Sequence, residues 1–83
     1  MSHYDPLSKF LKSSKGGSIS LAFAAIDPIL GFRLPKSAKE HRPWWGNEFG
    51  PTSHSQCRAW LAAGFKVSEV DLVNQTVSFK RMV

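Results

Sequence analysis

The chain has 83 residues, a formal net charge of +5 and 42% hydrophobic residues. A domain of this size buries only about 60–65% of the surface of its unfolded chain, so its core must be rich in large side chains. Three Trp, six Phe and one Tyr supply them. The sequence contains no run of 18 apolar residues, which excludes a membrane-spanning helix, and no signal peptide is expected. We therefore expect one domain over residues 1–83.

The charge balance favours a polyanionic partner. Lys and Arg number 11 against 6 Asp and Glu, and nucleic acid is the commonest partner of such basic chains. Cys57 is the only cysteine in the sequence, so no disulfide can form within the chain. This cysteine usage is consistent with a reducing compartment, and we expect a cytoplasmic protein.

A first helix is predicted directly after residue 4. Asp5 can accept hydrogen bonds from the free amides of the first turn, and Pro6 suits the first helical position. An apolar stripe follows at helical spacing, formed by Leu7, Phe10 and Leu11. After the helix, Ile19 is expected to pair as a very short strand.

A second helix is predicted from Leu21 to Leu30. Ser20 is its expected N-cap, and Gly31 is the expected C-terminal stop. Pro28 removes a backbone donor and clashes with the preceding turn, so the helix should kink or break shortly before it.

Residues 32–52 show no clear period and contain three prolines, two glycines and two adjacent tryptophans. A structureless loop of about 20 residues is unusual in a compact domain, so it is either functional or hides a short helix. Lys36 to His41 can form one or two helical turns. Adjacent indoles point in different directions, and we expect one of Trp44 and Trp45 to pack on Trp60.

The third helix has the clearest local signals. Ser53 and Gln56 match a capping box, in which the two side chains satisfy each other's backbone amides. The inner stripe is formed by Cys57, Trp60 and Leu61, and Gly64 ends the helix.

Two strands are predicted next, at Phe65 to Leu72 and at Thr76 to Val83, because both are rich in Val and Phe. Asn74 lies in the turn between them. The second strand alternates regularly, whereas the first changes phase, so we expect a β-bulge near Ser68 and Glu69.

The predicted fold class is α+β, with three helices and a C-terminal antiparallel β-hairpin. Helix, short strand, helix, long loop, helix and hairpin follow one another in the order of a winged helix-turn-helix domain. In that arrangement the third helix reads a DNA groove and the turn Leu72–Gln75 is the wing. The alternative architecture is a small sheet covered by three helices.

Basic residues cluster before and on the third helix and at the end of the chain. Such density suits phosphate contact, because each neutralised phosphate releases condensed counterions. On the outer face of the third helix, Ser55 and Arg58 can approach a major groove, where Arg pairs with guanine. The predicted phosphate contacts are Arg33, Lys36, Lys39, Arg42 and Lys80.

The remaining candidate binding residues are polar or aromatic. An exposed Trp44 or Trp45 can stack on a base or fill a pocket of a protein partner. Asn47 follows a glycine and fits a turn or cap better than a reader of adenine. His54 lies one turn before Arg58. A solvated polar face is the alternative interpretation of this surface.

Catalysis has little support in the sequence. His41, His54 and Cys57 are too few for a structural zinc site, which needs four ligands. His41, Asn47 and His54 occur in the order of a His-Asn-His nuclease, but with compressed spacing and the helix before the hairpin. No carboxylate pair suggests general acid–base chemistry. We therefore expect no enzyme activity, no metal and no cofactor.

Short runs of specific residues extend over nearly the whole chain: Tyr4–Leu7 with Phe10-Leu11, Leu34–Ala38, Trp44–Asn47, His54–Gln56 with Ala59–Leu61 and Gly64-Phe65, and Val77–Arg81. Together they resemble a family of small uncharacterised bacterial and phage domains, and the Trp-Trp-x-Asn run is their most specific part. Members usually have an uninterrupted second helix, where this chain has Asp27-Pro28. The resemblance implies a single compact domain and no particular activity.

These observations predict a small basic binding module that binds DNA through phosphate contacts and the third helix. The alternative is a phage-encoded, anti-CRISPR-like inhibitor of host defence, which would dock on a host protein or nucleoprotein complex. Aromatic anchors with a charged rim suit that function. The edge of the hairpin also permits a homodimer, although nothing in the sequence requires one.

Overall fold

A computed structural model of the protein describes residues 4–47 and 55–82. The fold is α+β, as predicted, with its helices packed against a three-stranded antiparallel sheet. In chain order the elements are α1 (Asp5–Ser13), β1 (Ser18–Ala22), α2 (Phe23–Leu30), α3 (Lys36–Glu40), a 3-10 turn (Arg42–Trp45), α4 (Ser55–Ala62), β2 (Phe65–Asp71) and β3 (Thr76–Arg81). Within the described ranges, every helix is too short or too polar to cross a membrane.

The start of α1 differs from the prediction by one residue. Tyr4 occupies the N-cap position without a side-chain cap, and Asp5 is the first helical residue. The Asp5 carboxylate therefore acts as an acidic residue of the first turn, where the helix dipole favours it, and not as the cap. The predicted stripe holds, because Leu7 and Leu11 are buried in the core.

The boundary between β1 and α2 corrects two predictions. Ser20 is not an N-cap but the middle of β1, because Leu21 pairs with Val77 across the sheet and keeps the chain extended. The helix starts at Phe23 and runs unbroken through Pro28 to its C-cap at Gly31, the predicted C-terminal stop, which has a left-handed conformation (φ 84°). The carbonyl that the proline leaves without a helical donor belongs to Ala24, an exposed residue that water can reach.

The strand order is β1-β3-β2, so β3 is central and the other two strands are edges. The predicted bulge is confirmed, since the β2–β3 register shifts between Val67 and Glu69. This shift lets both Val67 and Val70 face the helices, opposite Phe79 and Val77. The hairpin turn at 72–75 is also confirmed.

The described part of the predicted loop, residues 32–47, contains two short helices, in line with the expectation that the loop is either functional or hides a short helix. The helix expected near Lys36 is α3, and the 3-10 turn carries the tryptophan pair. The expected N-cap Ser53 lies outside the described residues. Gln56 donates to the Trp44 carbonyl at 3.4 Å, so its amide ties α4 to the 3-10 turn.

Candidate nucleic-acid interface

The tryptophan pair is divided between the core and the surface. Trp45 is 2% exposed, stacks on Trp60 with ring centroids 5.8 Å apart, and donates its indole N–H to the Ala38 carbonyl at 2.8 Å. Trp44 is half-buried and meets Tyr4 edge to face at 5.9 Å. Trp45 therefore anchors the core, as expected of one indole of the pair, and Trp44 is the more exposed member of the pair.

Asn47 is held in a bidentate contact with the edge of the sheet. Its amide Nδ2 donates to the Val67 carbonyl at 2.9 Å, and its Oδ1 accepts from the Val67 amide at 2.9 Å. The same Oδ1 accepts from the indole N–H of Trp60 at 3.0 Å. With both ends of the amide engaged, Asn47 has a structural role and is not placed to read a base.

Replacing Asn47 with alanine is expected to lower the free energy of unfolding by about 1–3 kcal/mol, because three polar groups lose their partner. Urea denaturation measures this loss, and faster hydrogen exchange of the Val67 amide locates it. Asn74→Ala is the matched control, since Asn74 bonds to Asp71 in the exposed turn. An equal loss in both variants would contradict the role assigned to Asn47.

Arg42 faces the sheet edge as well as solvent. Its guanidinium donates to the Val70 carbonyl, and a groove of about 380 Å³ separates the 3-10 turn from β2 on this side. The backbone amide of Asn74 holds the pKa of the Asp71 carboxyl below its ordinary value, and the Arg42 charge adds to this effect. The Asp71 carboxylate therefore balances part of the positive charge of Arg42.

The outer face of α4 lies beside two lysines of α1. Arg58 and Ala62 are exposed one turn apart, and the helices α1 and α4 pack together. Lys9 and Lys12 line a groove of about 290 Å³ with Ala62. Asp5 lines the same groove and offsets one of the two positive charges.

The other predicted phosphate contacts do not line this groove. Arg33 is exposed between α2 and α3. Lys36 is exposed but pairs with Glu40 at 3.8 Å, an exposed i, i+4 ion pair of small energetic value. Lys39 is half-buried on the same helix.

Lys80 lies on the outer face of the sheet, turned away from the core. It pairs directly with Lys66 of β2 and with Ser18 of β1 on its other side. Like charges directly opposite each other destabilise a sheet, so an anion beside Lys66 and Lys80 would stabilise this pair of strands. The structure does not bring Lys80 together with the outer face of α4.

Two carboxylates accept hydrogen bonds from backbone amides. Asp27 accepts from the Leu34 amide at 2.9 Å, and Asp71 accepts from the Asn74 amide at 3.0 Å. These bonds hold the loop after α2 and the hairpin turn.

Lys9 and Lys12 were not among the predicted binding residues. In the sequence, Lys9 and Lys12 are three residues apart and lie away from the apolar stripe of α1. Their proximity to Ala62 could not be predicted, because Ala62 belongs to a distant part of the sequence.

His54 lies outside the described residues, as does the side chain of Ser55, so their predicted roles stay predictions. Within the described ranges, no group of three His, Cys, Asp or Glu residues is placed to hold a metal ion.

Comparison with known proteins identifies the family. Neither a curated protein nor a solved structure matches the chain. A family model does, over residues 4–82, which include the Trp-Trp-x-Asn run and every helix and strand described above. The chain therefore belongs to the family described as Domain of unknown function (DUF7662).

Proposed function

We propose that this protein binds double-stranded DNA, with the outer face of α4 at a groove and the lysines of α1 on the neighbouring phosphates. The observation that carries the proposal is the groove that Lys9 and Lys12 share with Ala62. It joins cations to the exposed face of α4, on which Arg58 also lies.

The dimensions of the two helices suit this arrangement. The major groove is about 12 Å wide and admits an α-helix. Ala62 is small, so the backbone of α4 can come close to the base edges, while Arg58 has the length and donors to pair with guanine. Packed helices have axes about 8–10 Å apart, which places the lysines of α1 near the phosphates that border the groove.

The other predicted cations have a secondary place in this proposal. Lys36 is already paired with Glu40, and Lys80 lies on the sheet face. They and the exposed Arg33 can add phosphate contacts on a longer duplex. Trp45 and Asn47 take no part, because both are engaged within the fold.

A fluorescence titration of labelled duplex DNA at about 50 and 200 mM salt tests the proposal. Two neutralised phosphates, one each for Lys9 and Lys12, predict a slope of about −1.8 in log affinity against log salt. Over this range the affinity should fall by about 12-fold. Absence of binding at the lower salt concentration would refute DNA binding.

A second candidate is an inhibitor that docks on a nucleic-acid-binding protein. The observation that favours it is a row of surface aromatics in which Tyr4 meets both Phe32 and Trp44 edge to face. Phe32 is 37% exposed and is followed by the exposed Arg33. Aromatic side chains beside arginine are typical binding hot spots. For this candidate, the salt titration should give no DNA binding, and Phe32→Ala should weaken capture of the protein partner.

A further inference from the structure

The two edges of the sheet are protected very differently. On the β2 edge, Asn47 occupies the N–H and C=O of Val67, Arg42 binds the carbonyl of Val70, and a bulge interrupts the strand. Such features prevent further strands from pairing. The β1 edge, Ser18–Ala22, contains no charged residue, no proline and no bulge in its pairing with β3.

The register shows which backbone groups of β1 point outward. Arg81 donates to the Gly17 carbonyl and Phe23 donates to the Gln75 carbonyl, so the odd-numbered residues of this segment bond to β3. Hydrogen-bonded residues alternate along an antiparallel strand, so Ser18 and Ser20 direct their N–H and C=O groups away from the sheet. Within residues 4–47 and 55–82, no protein group is hydrogen-bonded to these four outward groups.

The side chains of β1 are incompletely covered on the core side. Ile19 and Leu21 face the core but are only half-buried, whereas Val77 and Phe79 on the central strand are 1% and 0% exposed. An additional strand beside β1 would satisfy the open backbone groups and cover these two apolar side chains in one step.

We propose that β1 pairs with β1 of a second copy of this chain, antiparallel about a two-fold axis at Ile19. In this register Ser18 lies opposite Ser20 of the partner subunit. The outward N–H and C=O groups of both serines then form hydrogen bonds between the two subunits. The two sheets become one continuous sheet of six strands.

The uncharged sequence of β1 permits a second copy of this basic chain as the occupant. The strands that meet carry only small uncharged or apolar side chains, so no like charges face each other across the interface. The Lys80 side chains of the two copies are three strand spacings apart, roughly 14 Å at about 4.8 Å per spacing. This separation exceeds the Debye length of about 10 Å at 0.1 M salt, so their repulsion is screened.

Light scattering after size-exclusion chromatography tests the proposal on the intact protein, without DNA, so its outcome is independent of DNA binding. The wild type is expected to contain dimers at about 100 μM, a concentration chosen for weak symmetric contacts. Ser20→Pro should weaken dimerisation by about 5- to 150-fold, because one backbone donor is removed from each copy. Within residues 4–47 and 55–82 the Ser20 N–H has no hydrogen-bond partner, so proline is compatible with this edge.

Ser20→Ala is the matched control. Like Ser20→Pro, it removes the hydroxyl bond to Ser78, but it keeps the backbone donor. This variant should therefore remain dimeric. A wild type that stays monomeric at this concentration, or an Ala variant as weak as the Pro variant, overturns the proposal. Circular dichroism should show that both variants are folded.

Cross-linking tests the register separately. Ile19→Cys places two thiols across the axis with Cα atoms about 4.5 Å apart, within the range for a disulfide. Ser18→Cys places them roughly 8 Å apart, beyond that range. Oxidation should therefore give a covalent dimer only for Ile19→Cys, with the buried Cys57 common to both variants. The opposite pattern would overturn the register.

Discussion

Replacing Trp60 with alanine is expected to destabilise the protein strongly. Trp60 is 0% exposed, stacks on Trp45 at 5.8 Å and contacts Phe79 at 5.7 Å. Truncation of a buried tryptophan costs about 3–5 kcal/mol. A chain of 83 residues has a total stability of about 4–12 kcal/mol, so this one change removes a large share of it.

Removing the indole also takes one hydrogen-bond donor away from the Asn47 side chain. Trp60 donates to Asn47 at 3.0 Å, and Asn47 in turn holds the Val67 backbone, so the variant should loosen the β2 edge as well as the core. We expect the thermal midpoint to fall by about 12–40 °C, measured by circular dichroism. Val73→Ala is the control, because Val73 is 91% exposed and should shift the midpoint little. A fall of only a few degrees in Trp60→Ala would contradict a core centred on this residue.

The strands and the bulge could be predicted because their signals are local. Alternation of Val and Thr or Ser marks β3, and one phase change in β2 places the bulge beside Ser68. The left-handed turn at Gly31 was predictable for the same reason, since glycine adopts a positive φ without strain.

The misplaced start of α2 comes from long-range pairing. Ser20 has the side chain of a good N-cap, but the pairing of Leu21 with Val77 extends the strand past it. This pairing joins residues 56 positions apart in the sequence, and no local pattern reveals it. Pro28 fits within a helix here because the carbonyl it leaves unpaired lies on an exposed turn.

The candidate site was predicted less completely than the fold. Arg42 and Asn47 have the residue types of phosphate and base contacts, yet both side chains form hydrogen bonds to the β2 backbone. Lys9 and Lys12 meet Ala62 only because α1 and α4 pack together. A basic composition therefore predicts a polyanionic partner, whereas packing decides which cations are available to it.

Removing the cations around α4 is expected to have the largest effect on DNA binding. The double variant Lys9→Gln with Lys12→Gln should reduce the salt slope by about 1.8, at about 0.9 for each phosphate that is no longer neutralised.

Arg58→Ala should weaken binding to a preferred duplex by about 1–3 kcal/mol if Arg58 pairs with a guanine. The effect of Arg58→Ala should shrink on an unrelated duplex, because a base contact discriminates between sequences and a phosphate contact does not.

Asp5→Asn provides a control of opposite sign, because Asp5 lines the same groove as the two lysines and repels a phosphate there. This variant should bind DNA more tightly than the wild type, with an unchanged fold verified by circular dichroism. Lys36→Gln should have little effect, since Lys36 is already paired with Glu40. If Lys36→Gln weakens binding as much as the α1 double variant, DNA binding depends on net charge alone, and the surface formed by α1 and α4 is not the site.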